Sequence, residues 1–83
     1  MTITIYSTSI CAACETLTNW LDKNNIAYKK KVTDLDPQIM SEFMSVNEGL
    51  IGVPFTVIDN EKGTITKISG FDQKRFKQTL NLN

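Results

Sequence analysis

The feature that most constrains this chain is the position of its two cysteines, because Cys11-Ala12-Ala13-Cys14 stands where one periodicity stops and another begins. Ahead of it, Thr2-Ile3-Thr4-Ile5-Tyr6 alternates and is rich in β-branched residues, which is the pattern of a strand, and Ser7-Thr8-Ser9 reads as the loop at its end. Beyond it, Leu17, Trp20 and Leu21 continue at helical spacing the face on which Cys14 lies, and the segment closes near Asn24-Asn25. A Cys-x-x-Cys pair is a moderate signal alone. It becomes a strong one at a strand-to-helix junction early in a βαβ pattern.

The chain has two cysteines and no histidine, which removes several chemistries at once. A structural zinc site usually takes four Cys or His ligands, so one copy of this chain supplies half of one unless carboxylates or a second copy complete it. Cys–His nucleophilic catalysis lacks its base. A secreted disulfide scaffold would show more cysteines at wider spacing. A redox pair fits best. Its competitors are a metal- or iron–sulfur-binding redoxin shared between two copies, a redox-dependent binding module, and two inert buried thiols.

The remainder of the chain supplies the elements around that junction. Ile26 to Val32 is a second strand with Tyr28 and Val32 on one side, and its parallel pairing with the first makes a right-handed βαβ unit. Asp36-Pro37 reads as a helix N-cap followed by Pro at the first helical position, with Gly49 as the stop. Ile39, Met40, Phe43 and Met44 supply the buried stripe of that helix, the methionines as core filling. Phe55-Thr56-Val57-Ile58 and Thr64-Ile65-Thr66-Lys67-Ile68, joined by a short polar loop with Gly63, predict an antiparallel hairpin. Asp72 caps a last helix in which Phe76 meets Phe71 as a hydrophobic staple and Leu80 extends the face. The order is β-α-β-α-β-β-α.

Composition sets the class. The 83 residues make one domain spanning 1–83, since nothing marks an internal linker. An apolar content of 41% against 22% charged residues excludes a disordered chain. Nine basic residues balance nine acidic ones, so no overall field draws the molecule to nucleic acid or to an anionic membrane, and Lys29-Lys30-Lys31 reads as a solvated strand surface. Met1 to Tyr6 enters directly into a strand pattern without the features of a secretory signal, and no apolar run approaches a membrane span. A cytoplasmic monomer is expected.

The element order, Cys11-x-x-Cys14 and the later Gly52-Val53-Pro54 together resemble the glutaredoxin family and its thioredoxin-fold relatives over essentially the whole chain. The resemblance implies an α/β thioredoxin fold, a mixed four-stranded sheet flanked by three helices. It also implies that Pro54 is cis, precedes the third strand and packs beside the cysteines. Ser69-Gly70-Phe71-Asp72 corresponds to the family's turn before the last helix, and its Ser-Gly-Phe looks most like the small glutaredoxin-like hydrogen donors of ribonucleotide reductase, which thioredoxin reductase usually reduces. Ala12-Ala13 stands where glutaredoxins carry Pro-Tyr, Thr8 where a basic residue is usual, Gly52 where Thr is usual and Phe71 where a second glycine is common. Contacts that hold glutathione are thereby missing or altered, which leaves glutathione the weaker candidate for immediate reductant beside thioredoxin reductase.

These features assign Cys11 and Cys14 as catalytic, and Ala12, Ala13, Val53, Pro54, Gly70, Phe71 and Asp72 as the surface that receives a disulfide-containing protein substrate, ribonucleotide reductase being the one the resemblance suggests. No bound cofactor is expected beyond the redox-active Cys11–Cys14 disulfide itself. A thiolate is the nucleophile, and at a helix N-terminus unpaired backbone N–H groups and the helix dipole stabilise it. No Lys or Arg precedes Cys11, so its pKa is expected to be modestly depressed rather than strongly acidic.

Overall fold

The structure, a computed structural model, describes residues 1–82. Its elements are β1 (Thr2–Ser7), α1 (Ala12–Lys23), β2 (Lys29–Val32), α2 (Pro37–Val46), β3 (Phe55–Asp59), β4 (Ile65–Ser69) and α3 (Gln73–Leu80), with a 3-10 turn at Thr33–Leu35. The four strands form one sheet in the order β2-β1-β3-β4. The β1–β2 pair is parallel, and β3 runs antiparallel to both β1 and β4. This is the mixed sheet and element order that the sequence predicts.

Alternation along β1 and β3 divides the apolar residues between two faces. Ile3, Ile5, Ile58 and Ile68 point to one face, where Leu17 and Leu21 of α1 and Phe76 of α3 close over them. Tyr6 and Phe55 point to the other, against Phe43 of α2. Because α1 connects two parallel strands, it runs back along β1, and its first turn therefore lies over the end at which β1 finishes. No helix among the described residues is long and apolar enough to cross a membrane.

Three sequence expectations change. Strand β2 begins at Lys29 rather than Ile26, since Asn25 takes a left-handed φ of 58° and Ile26 and Tyr28 turn in to pack on the α1/α3 core. Helix α2 ends at Val46 with Asn47 as its C-cap, ahead of the left-handed Glu48 and Gly49. Met40 and Met44 are 38% and 55% exposed rather than buried. The stripe that meets the sheet is Ile39, Phe43 and Val46, and the methionines lie about 100° around the helix from it. The caps are as expected, with Asp36 accepting from Gln38 N–H at 2.9 Å and Asp72 from Arg75 N–H at 3.1 Å.

Candidate redox site

The chain leaves β1 at Ser7 and reaches α1 through a loop held on both sides. Thr33 donates its hydroxyl to the Ser7 carbonyl at 3.0 Å, and Thr8 donates to the Ile10 carbonyl at 3.0 Å. Asp34 takes two hydrogen bonds from Ser9, one from the backbone N–H at 2.9 Å and one from the hydroxyl at 2.5 Å. Those bonds, the hydroxyl's first, hold the Asp34 carboxyl below the usual carboxylate range. The exit of β2 thus fixes the exit of β1. No short motif marks this clamp. The available signal is an acidic residue just past the carboxyl end of a parallel strand, where α/β sheets commonly build sites.

Cys11 is the N-cap of α1, and its extended backbone (φ −156°, ψ 98°) turns the side chain back over the first helical turn. Its sulfur accepts the Cys14 backbone N–H at 3.1 Å, taking the place that Ser, Thr or Asp occupies in ordinary caps and satisfying one of the helix's free donors. The helix is therefore built so that its positive end meets the sulfur of Cys11. Cys11 and Cys14 are disulfide-bonded, with Cα atoms 5.3 Å apart. Cys11 is half-buried, whereas Cys14 is 1% exposed, as its place one turn into the helix predicts.

The other expected residues divide between access and support. Ala12 and Ala13 are exposed beside the disulfide. The Val53–Pro54 bond is cis, and Pro54 is buried immediately ahead of Phe55, which pairs with Tyr6. Pro54 consequently lies at the same end of the sheet as the Ser7–Cys11 loop, with Val53 half-buried before it. Gly70, at a φ of 76° that favours glycine, donates its N–H to the Pro54 carbonyl at 2.8 Å and ties the turn before α3 to this site. Phe71 turns its ring inward to Trp20 and Phe76, with centroids 5.6 Å and 6.0 Å away. Asp72 is exposed, but its carboxylate caps α3. The structure thus joins Gly70 to the site and gives Phe71 and Asp72 structural contacts. Two large apolar side chains stand exposed beside these segments in sequence, Ile10 next to Cys11 at 92% and Ile51 near Val53 at 73%.

A half-buried cysteine capping a helix, bonded to a buried partner one turn on, with a cis-proline at the same end of the sheet, defines a thioredoxin-fold disulfide site. The glutaredoxin family model matches residues 3–62, and the chain belongs to the glutaredoxin family. Among solved structures, the thioredoxin-like protein BC3987, in a point-mutant form, is 25% identical with a TM-score of 0.80, the match covering 98% of this chain and 96% of that one. The glutaredoxin of Methanosarcina mazei Go1 is 19% identical with a TM-score of 0.81, over 98% of this chain and 79% of that one. A glutaredoxin of Archaeoglobus fulgidus is 16% identical with a TM-score of 0.75, over 94% and 84%. The two glutaredoxin structures show the fold alone. No curated protein matches significantly. Family, fold and the Cys11–Cys14 pair support thiol–disulfide oxidoreduction as the chemistry.

Proposed function

We propose that this protein is a dithiol oxidoreductase that reduces disulfides of protein substrates, with Cys11 as the attacking and Cys14 as the resolving thiol. The observation that carries the reading is the asymmetry of the pair, with a half-buried Cys11 capping α1 and a buried Cys14 behind it. In the reduced protein, the Cys11 thiolate attacks a substrate disulfide and forms a mixed disulfide, expelling one substrate thiolate. Cys14 then attacks the Cys11 sulfur, expels the second substrate thiolate and leaves Cys11–Cys14 oxidised. The backbone at Val53 would pair with the substrate segment in the manner of an added strand, next to Ala12, Ala13, Pro54 and Gly70.

The immediate reductant in this reading is thioredoxin reductase rather than glutathione, and ribonucleotide reductase is the suggested acceptor. Glutathione carries two carboxylates that need cationic or N–H partners, whereas Thr8, the ionised Asp34 and the apolar Ile10 lie around this disulfide. A cytoplasmic monomer belongs to the same proposal. The test supplies purified protein with NADPH and either thioredoxin reductase or glutathione plus glutathione reductase, and follows reduction of a protein disulfide. Sustained NADPH oxidation is expected in the first system. Turnover in the second alone would reverse the choice of reductant. Cys14→Ser should trap a mixed disulfide and Cys11→Ser should abolish turnover, and equal residual activity of the two would contradict the roles.

A further inference from the structure

The chain is neutral overall, yet its charges are not evenly spread. Every Lys and Arg falls in one of two stretches, 23–31 and 62–77, and residues 1–22 and 32–61 hold none. The register shows what this does to the disulfide end of the sheet. The Ser7–Cys11 loop, the Thr33–Asp36 segment after β2 and the Gly49–Pro54 loop before β3 meet there, and all three come from the stretches without bases. Acidic groups are present, with Glu15 in the first turn of α1 and Asp34 and Asp36 just past β2. Lys23, Lys29 and Lys62 lie at the opposite end, at the close of α1, the start of β2 and the β3–β4 turn. The first turn of α3, with Asp72 before it, brings Lys74 and Arg75 to the disulfide end as the exceptions.

Among these acids, Asp34 is the one that the fold fixes to the cysteine loop. It accepts the Ser9 N–H at 2.9 Å and the Ser9 hydroxyl at 2.5 Å, and Ser9 is two residues ahead of Cys11. With successive Cα atoms ~3.8 Å apart, its carboxylate stands within roughly 12 Å of the Cys11 backbone. Ser9 is neutral, so the clamp immobilises the charge without cancelling it, and its bonds hold the carboxyl below the usual range, an anion at neutral pH. Asp34 is exposed, with Leu35 beside it 71% exposed.

We propose that Asp34 is a specificity-determining residue of the exchange, with Ser9 as its positioning residue, favouring substrate disulfides whose cysteine is flanked by Lys or Arg over those flanked by Asp or Glu. The inference rests on the reading of Cys11–Cys14 as the exchanging pair and adds the class of substrate. In the first step the Cys11 thiolate bonds to one substrate sulfur, and the electron pair of the substrate S–S bond leaves on the other. Cys14 then gives its proton to solvent and bonds to the Cys11 sulfur, and the second substrate thiolate leaves. The substrate gains the two electrons that the cysteines lose. Both steps spread negative charge along three sulfurs near a fixed anion. A cation carried by the substrate offsets that repulsion, and an anion adds to it.

The test is the rate at which the reduced protein reduces three small disulfides: cystamine, a dication; dithiodipropionate, a dianion; and bis(hydroxyethyl) disulfide, which is uncharged. Rates of dithiothreitol on the same three remove their intrinsic reactivities. At an ionic strength of about 0.01 M, where the Debye length is ~30 Å, the protein should prefer the dication. Unit charges about 10 Å apart in water change a rate roughly two-fold, so Asp34→Asn should slow the dication, speed the dianion and lower the preference about four-fold. Taking the ratio cancels any uniform change in Cys11 reactivity. Ser9→Ala frees the carboxylate but keeps its charge, and should give an intermediate loss. At about 1 M salt, with a Debye length of ~3 Å, wild type and variants should converge. An unchanged preference in Asp34→Asn, or a loss that persists at high salt, would overturn the proposal. Asp34→Ser repeats the measurement if Asp34→Asn fails to fold. Failure to reduce the uncharged disulfide would sink the exchange reading itself, whereas turnover of all three without a charge preference would sink this inference alone.

Discussion

The two faces of the sheet are built differently. Under α1 and α3 lies a continuous apolar slab of Ile3, Ile5, Leu17, Leu21, Ile58, Ile68 and Phe76, every one of them buried. Under α2 the fully buried set is Tyr6, Phe43 and Phe55, with Phe43 tilted against Tyr6 at a centroid distance of 5.5 Å and edge-on to Phe55 at 5.8 Å, and with half-buried Ile39, Val46, Val53 and Val57 around them. A polar lock makes up the difference, in which Glu42 of α2 accepts from the Tyr6 hydroxyl at 2.5 Å and from Lys31 of β2 at 2.7 Å. The disulfide stands at the start of α1, the helix that covers the first of these faces. A helix that must hold a sulfur in register with its own first turn is best seated on close packing, whereas α2 needs only to cover.

The sharpest way to break this comparison is to cut one aromatic from each face. A domain of this length has roughly 4–12 kcal/mol of stability at ~0.05–0.15 kcal/mol per residue. Phe76→Ala opens a cavity in a slab that cannot collapse, with an expected loss of about 4–5 kcal/mol in urea unfolding. Phe43→Ala leaves half-buried neighbours free to close in, and should cost about 3 kcal/mol, the low end for such a change. Equal losses from the two would show that the faces are packed alike.

A smaller effect isolates the lock. Burial, and then the hydrogen bond to Glu42, raise the Tyr6 phenol well above its ordinary pKa of 10.0. A group raised in the folded protein adds stability that is complete below its unfolded value, so this contribution is present below pH 10.0 and is lost as pH rises above it. Glu42 works in the opposite direction. Lys31, then Tyr6, hold its carboxyl below the ordinary 4.5, so its contribution is present above that pH and fades as pH falls beneath it. Tyr6→Phe should cost about 1 kcal/mol near neutrality, because Glu42 keeps Lys31 and is partly open to water. It should also flatten the alkaline limb of stability against pH. An alkaline limb as steep as before would assign it instead to Tyr28, whose phenol is likewise raised, by burial and then by Asp22.

What was legible in the sequence followed from periodicity and from fixed chemistry. The alternation of Ile3 and Ile5, the 3–4 spacing through Cys14, Leu17 and Leu21, and the caps at Asp36 and Asp72 each express one local rule, and each stands in the structure. The Ser9–Asp34 clamp and the Tyr6–Glu42–Lys31 lock were not legible, because they join residues 25, 36 and 11 positions apart through side chains that local pattern leaves undetermined. The buried hydroxyls of Ser7 and Thr56, without a hydrogen-bond partner among the described residues, were hidden for a related reason. A strand pattern says which face a residue takes, and only the completed sheet says whether a donor there meets an acceptor.

The smallest expected effect tests the one misread stripe. Helical spacing places Ile39, Met40, Phe43 and Met44 within one broad apolar arc, and periodicity alone cannot tell how much of that arc a partner covers. The sheet meets it along Ile39, Phe43 and Val46, leaving Met40 and Met44 on the rim, where Met44 keeps a contact from the Asn47 amide to its sulfur at 3.5 Å. Met44→Ala and Met40→Ala should each change stability by less than about 0.5 kcal/mol, as surface substitutions do, against about 2–5 kcal/mol for a methionine truncated in a core. Losses in the core range would mean that α2 seats its methionines in solution, that the α2 face is as thickly packed as the α1/α3 face, and that the contrast between them does not hold.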